Sequence, residues 1–496
     1  MFSCRKTGSG AALAALFATT ASMAMADVTP EQVWEGWTGY YRDLGQQLTV
    51  GSRSRQGDTL VISDTQLTSS RDGSSFALTL PELRLRDMGD GRVEVQMAPE
   101  IPFHVEAMPE DGKKVTTEAV VRQKDLRAVV SGTPDAMSYD LVVPEVAVEV
   151  TGMQAGREDV PLRMQFTLTD NTGSYVLTQG PSRGLVSKFH AAKMTFSLSG
   201  ANPEDGSTVT AAGKANAIDF DSEVALPAQT DMADLRKALN DGFAAQGRIA
   251  YGNMDYTVDT ASPEGKGSMS ARTDSADVSF SMSKAGLSYG GHGRGIEVSV
   301  NAPDVPVPIA ASMSQAAFNF SMPLMKSDAA QPFAFLWDMD GVTISDALWA
   351  MFDPTAQLPR DPARLMVDLA GTARLDMDVF DPAMAETETA PGQIDTVDIK
   401  ALELRAAGAQ LTGAGGGTID NSGPVPMPQG AVDLKLVGGN ALIDKLVAMK
   451  LLPQDQAMGA RMMMGLFGVP QGEDTLTSKI EMKADGTIYA NGQRLK

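Results

Sequence analysis

Ser75-Phe76-Ala77-Leu78-Thr79-Leu80 and Arg92-Val93-Glu94-Val95-Gln96-Met97, with Gly89-Asp90-Gly91 between them, decide the fold. Large apolar residues recur at every second position in both runs. That period gives an extended strand one apolar and one polar face. The Asp-Gly pair marks a chain reversal. The pattern spreads outward through Leu60, Ile62 and Leu67, then Leu141/Val143, Met164/Phe166/Leu168 and Met194/Phe196/Leu198. A long antiparallel meander with one apolar face is expected.

Helical spacing interrupts this pattern in a few places. Thr29-Pro30-Glu31-Gln32 is a capping box with Pro at the first helical position, and Val33, Trp37, Tyr40 and Leu44 follow on one face. Trp34 and Trp37 make this helix either a cover for the sheet end or an aromatic lid on an apolar groove. A second helix is expected at 231–246, capped by Asp231, with Leu235, Leu239 and Phe243 inward. Strands resume at Ile249/Tyr251, Val278/Phe280/Met282, Ile296/Val298/Val300 and Phe318/Phe320/Met322. A short helix at 345–352 holds Leu348 and Trp349. Strands at Leu375/Met377/Val379 and Val397/Ile399 follow, and the apolar phase shifts at Ala401-Leu402, which predicts a bulge. Residues 381–393 read as an acidic loop. Asn440 caps a helix carrying Leu442, Leu446 and Met449, which Pro453 ends. Gln454 to Phe467 forms another, and a hairpin about Asp485-Gly486 closes the chain.

The expected fold class is mainly β (α+β): a long curved antiparallel sheet, as an elongated groove or two related halves, with a few peripheral helices. The halves would be 27–228 and 229–496. A helix–Gln–strand echo at Leu44–Leu48 and Ala245–Ile249 suggests duplication with a period near 200 residues.

The chain has 496 residues, 41 Lys and Arg, 62 Asp and Glu, and a net charge of -21. Residues 1–26 read as a signal peptide: Arg5 and Lys6, then an apolar run from Ala11 through Met25, then the cleavage site Ala24-Met25-Ala26. Cleavage would take the charge to -23 and remove Cys4, the only cysteine. Disulfides, thiolate metal sites and a Cys nucleophile are then excluded. The expected location is the periplasm. Acidity disfavours nucleic acid and anionic membrane surfaces.

Few residues suggest chemistry. Asp338-Met339-Asp340-Gly341 matches the D-x-D-G signature of haloacid-dehalogenase phosphatases, but those need it at the start of a parallel α/β domain. Antiparallel alternation follows it here, so Asp340-Gly341 reads as a hairpin turn. His104, His190 and His292 lie far apart without ligand spacing. Gly290–Gly295 and Gly413–Gly417 lack a βαβ setting, and close strand packing explains them better than a phosphate cradle. Asp376 and Asp378 alternate with Leu375, Met377 and Val379 and read as solvated strand charge. No catalytic, cofactor-binding or metal residue is assigned. The 29 Met residues suit either core filling or a surface for varied apolar ligands.

Val28-Thr29-Pro30-Glu31-Gln32-Val33-Trp34, Gly57–Leu60, Trp349–Pro354 and Leu358–Ala363 resemble domain-of-unknown-function family 2125, of signal-peptide-bearing alphaproteobacterial proteins. That resemblance implies no activity. The last 110 residues, with Leu434–Leu436, the helices of 440–467 and Asn491-Gly492, resemble the ends of AsmA-like envelope proteins. The AsmA-like resemblance implies a long β-groove that binds or moves lipids, although a retained membrane anchor is missing here. The expected function is a non-catalytic periplasmic protein that binds lipids or other apolar ligands. The alternative is an envelope scaffold with a filled core that engages protein partners.

Overall fold

The computed structural model describes residues 27–495 apart from 44, 72, 109–112, 203–204, 228–231, 233, 304, 306, 387–389 and 424. The expected signal peptide of 1–26 and the expected cap at Asp231 lie outside the described residues. The first helix, α1 (Pro30–Asp43), leads into β1 (Gln47–Gln56), β2 (Thr59–Arg71), β3 (Ser74–Asp87), β4 (Val93–Met97), β5 (Glu100–Ala107) and β6 (Val115–Lys124). Then come β7 (Arg127–Thr133), β8 (Ala136–Ala155), β9 (Glu158–Asp159), β10 (Leu162–Thr178), β11 (Ser182–Ala201) and β12 (Thr208–Pro227). After α2 (Leu235–Asp241) follow β13 (Ala244–Tyr251), β14 (Met254–Ser262), β15 (Gly265–Thr273), β16 (Ser275–Ser283), β17 (Gly286–Asn301), β18 (Ile309–Met322) and β19 (Gln331–Ile344). Helix α3 (Asp346–Phe352) precedes β20 (Ala363–Leu375), β21 (Gly392–Ala406), β22 (Ala409–Asp420) and β23 (Met427–Val437). The chain ends with α4 (Gly439–Ala448), α5 (Gln454–Phe467), β24 (Val469–Pro470), β25 (Thr475–Met482), β26 (Ile488–Ala490) and β27 (Gln493–Arg494).

All these strands belong to one antiparallel sheet. Most pair with their neighbours in sequence. Twice, a long strand pairs with two short ones end to end. The two ends of β3 pair with β4 and β5, these pair with β7 and β6, and both rejoin on β8. In the same wiring, β12 feeds β13 and β14, these pair with β16 and β15, and both rejoin on β17. The second unit lies about 150 residues after the first, whereas the helix–Gln–strand echo runs at about 200. Helices α1 and α2 cover corresponding ends of the two units. Val33 and Trp34 of α1 pack on Leu60, Leu83, Val93, Val130 and Tyr139. Leu239 of α2 packs with Leu226, Phe243, Leu324 and Met325. Each large apolar side chain so buried contributes about 1.5–3 kcal/mol.

A crease crosses the strands at one level. Its residues have positive φ: Asp64 on β2 (52°), Asp170 on β10 (53°), Ala217 on β12 (50°), Gly295 on β17 (59°) and Gly341 on β19 (71°). By register they face Gly51 and Pro81, then Pro144 and Ala192, then Ser314. Proline cannot donate to a ladder, so it fits a level the ladder skips. A Cβ on Gly341 would stand 2.2 Å from Ser314 Oγ, and one on Gly295 2.1 Å from Asp274 Oδ2. The apolar phase steps by one residue at the crease. On β10, Met164, Phe166 and Leu168 give way to Asn171, Gly173, Tyr175 and Leu177. Residues from both sides pack together: Leu168, Met194 and Met254 from one, Phe189, Ala191 and Tyr251 from the other. Asn171, fully buried, ties this line by donating from Nδ2 to Val143 O (2.9 Å) and Leu168 O (3.1 Å).

The capping box of α1 is present, with Thr29 N–H donating to Gln32 Oε1 and Gln32 N–H to Thr29 Oγ1. The bulge expected near Ala401-Leu402 is a register shift between Asp368 and Leu369 opposite β21. Five local expectations need correction. The second helix covers only Leu235–Asp241, capped by Asp234, because Gly242 turns left-handed at φ 106°. Asn440 is not the cap of α4; Asp474, thirty-four residues on, accepts from the N–H groups of Asn440 (3.0 Å) and Ala441 (2.9 Å). Asp340-Gly341 is no hairpin turn but the crease level inside β19. The strand expected through Val379 ends at Leu375, and the acidic loop of 381–393 includes the short helix Pro382–Glu386.

Behind α3 the chain folds on a buried carboxylate. Asp353, fully buried, accepts from the N–H groups of Gln357 and Leu358, both at 2.9 Å. Burial alone would raise its pKa; these two donors and the Arg360 charge outweigh it and hold the carboxyl below the usual aspartate range. Arg360 also pairs with Asp346 and lies 5.6 Å over the Trp349 ring.

Gly341→Val should cost about 2–4 kcal/mol in denaturant unfolding, since it adds left-handed strain and a clash. Ala217→Gly should stabilise by up to about 1 kcal/mol, and a loss of stability there would count against the crease. A depressed native carboxyl pKa stabilises the fold above the unfolded value, near pH 4, and the gain vanishes as pH falls through the native value. The stability gap between the parent and Asp353→Asn should therefore be full at neutral pH and narrow below about pH 4. A gap constant through that range would contradict the assignment.

Candidate functional site

Residues paired across an antiparallel ladder share a face. Following the pairs therefore traces rows along the sheet. One row runs Leu60, Leu85, Val95, Ala128, Leu141, Gly173, Phe189, Phe220, Ile249, Val278, Gly291, Phe318, Trp337, Val367, Leu402, Gly413 and Leu434. No polar side chain breaks it in seventeen strands. Two residues along each strand, and three across the bulge of β21, a parallel row runs Tyr139, Tyr175, Ser187, Ser222, Gly247, Phe280, Tyr289, Phe320, Phe335, Leu369 and Ile399. On the other side, Tyr251, Ala276, Gly293, Ala316, Met339, Leu365, Leu404, Leu411 and Leu436 form a third.

This field is buried at its N-terminal end and open in the middle. Under α1, Leu83, Leu85, Val93 and Val130 are fully covered. Further along, Ile249 is 46% exposed, Tyr289 45%, Phe320 42%, Trp337 44% and Leu404 49%. Phe220, Phe280, Phe335 and Leu365 are exposed to a similar degree. Glycines on these rows make room for large neighbours: a Cβ on Gly291 would meet the Phe318 ring at 2.8 Å, and one on Gly413 Leu434 at 2.6 Å. Across the crease, Phe196, Tyr256, Val298, Ala311 and Ile344, together with Lys214, Asp255, Arg272 and Glu297, line a cavity of ≈ 890 Å³. A second, of ≈ 470 Å³, lies beneath α1.

The opposite face carries the charge. His190 Nδ1 is 2.8 Å from Asp219, and His292 Nδ1 3.5 Å from Asp277, which Arg248 also approaches. His104 meets Glu118 at 2.7 Å and Glu106 at 3.4 Å; the Glu118 hydrogen bond chiefly raises its pKa. The three His residues thus pair with separate carboxylates and do not converge. Among the described residues, no group of three or more His, Cys, Asp or Glu is placed to hold a metal ion.

The D-x-D-G carboxylates are engaged as well. Arg364 grips Asp338 through Nε (3.2 Å) and Nη2 (3.1 Å) and approaches Glu403 at 3.5 Å. Arg405 donates to Asp340 at 3.2 Å. These pairs tie β19, β20 and β21 on the charged face, and Gly341 is the crease residue. Asp376 and Asp378 lie beyond the end of β20, and Asp378 accepts the Lys326 N–H at 2.7 Å. The Gly290–Gly295 and Gly413–Gly417 runs lie within β17 and β22, not at a strand-to-helix turn. Met residues occur in both settings: Met137 and Met325 are buried, while Met458, Met462 and Met463 of α5 stand exposed.

Sequence reasoning found the apolar face but not its continuity or its uncovered stretch. The one-residue phase steps at Leu168–Asn171 and Ala191–Met194 were the available signal for the crease. No helix among the described residues is long and apolar enough to cross a membrane. No curated protein and no solved structure matches the chain. Trp349–Pro354 and Leu358–Ala363 lie within the one matched segment, whereas Val28–Trp34 and Gly57–Leu60 lie outside it. Residues 253–495, just under half of the chain, match the family described as "Uncharacterized protein conserved in bacteria (DUF2125)", and this match supports membership of that family.

Proposed function

We propose that this protein is a non-catalytic binder of lipids or other elongated apolar ligands, working in the periplasm. The observation that carries this reading is the field of nine large, roughly 40%-exposed apolar side chains in neighbouring rows, from Phe220 to Leu404. Single exposed apolar residues are ordinary, but a contiguous field marks an interaction surface. A bend at the crease, where apolar side chains of both sides pack together, would make the field the wall of a trough. The ≈ 890 Å³ cavity across the crease falls within the range of ligand sites. Paired charges on the opposite face would leave that side to solvent. The signal-like residues 1–26 and the AsmA-like end support the location and the ligand class.

A second reading, an envelope scaffold engaging protein partners, is favoured by Met458, Met462 and Leu466 on successive turns of α5. They are 68%, 70% and 48% exposed.

The protein, expressed with its own residues 1–26 and recovered from the periplasmic fraction, should yield co-purified lipid by mass spectrometry. Trp337→Asp should reduce the retained lipid several-fold without lowering the melting temperature much, since this side chain is already half in water. Protein that carries no lipid and binds no fluorescent fatty acid would overturn the binding reading and leave the scaffold.

A further inference from the structure

The cavity beneath α1 differs from the open field. Trp34, Trp37, Tyr40 and Tyr41 of the helix roof it, and Leu67, Leu80 and Tyr175 are among its walls. Among the described residues no charged side chain lines it. One polar atom stands out. Thr65 is 5% exposed, lines the cavity, and its Oγ1 has no hydrogen-bond partner. An unpaired buried hydroxyl is costly, and a ligand group that pairs with it recovers that cost. Ser187 lies at another edge of the cavity and opens the sequence Ser187, Ser222, Gly247 along its row. Phe189, Phe220 and Ile249 flank this lane on one side, and Leu185, Val224 and Ala245 on the other. Small residues between two rows of larger ones leave a shallow channel that runs from the cavity toward the open field.

We propose that this cavity is a second, enclosed site for an uncharged lipid with one hydroxyl or carbonyl at its inner end. That group pairs with Thr65 Oγ1, and the apolar chain leaves along the Ser187–Ser222–Gly247 lane. The absence of charge from the walls selects a neutral end over a carboxylate or phosphate, because a buried ion needs a partner. The proposal takes the apolar-binding reading as its basis but commits to a separate place and a polar preference.

The chain contains four tryptophans, at 34, 37, 337 and 349. In a protein carrying Trp337→Phe and Trp349→Phe, only the two in the cavity roof remain to fluoresce. Dodecanol and dodecane should both shift that emission, with dodecanol binding about tenfold tighter for one added buried hydrogen bond. Thr65→Val in the same background should abolish the preference, keep dodecane binding, and hold or raise the melting temperature, because it removes an unpaired buried hydroxyl. Equal binding of the two probes, a preference that survives Thr65→Val, or an unchanged emission would overturn the proposal. Lipid retained by the wild type and lost in Trp337→Asp would still stand in that event, so failure of the cavity site is separable from failure of the open field.

Discussion

Strands of up to twenty residues must keep their apolar side chains on one face, and the crease is the level at which their phase is reset. On five strands, one residue at this level adopts a left-handed conformation that the ladder skips. Glycine does this at 295 and 341, and Asp or Ala accepts the strain at 64, 170 and 217. Proline or a small residue stands opposite. The one-residue step restores the apolar phase on the far side, so one face stays apolar along the full strand. Both split-strand units depend on this level, because their short strands meet end to end at it.

The two faces then divide the chemistry. Carboxylates, His and Arg are paired strand to strand on one side, with Asp338, Arg364 and Glu403 the most covered example. Such pairs add little net stability, because exposed charges are screened and covered ones must repay their desolvation. The other side has rows of Leu, Phe, Tyr, Trp and Gly that helices cover at only some places. A sheet with one apolar face must bury it against something, and the stretch from Phe220 to Leu404 lacks any such cover among the described residues. The proposed ligand would supply it.

Several features of the site could be read from local sequence. Period-two alternation located the strands, and Thr29-Pro30-Glu31-Gln32 located α1 and its cap. The phase shift at Ala401-Leu402 marked a true bulge. Features that rest on distant partners could not be read. Asp474 caps α4 from across thirty-four residues, and Arg364 turns the D-x-D-G carboxylate Asp338 into half of an ion pair. Asp340-Gly341 has the composition of a hairpin turn, yet its strand neighbours hold it as a crease.

By itself the sequence determined that this chain is a β meander with one apolar face, interrupted by a few helices, because alternation and capping act over a few residues. Only the tertiary structure decided that the apolar positions align into unbroken rows, that these rows stay half-open beyond α1, and that Thr65 faces a cavity without a partner. Those properties depend on register and on which helix covers which strands, and both are set by contacts between residues far apart in the chain.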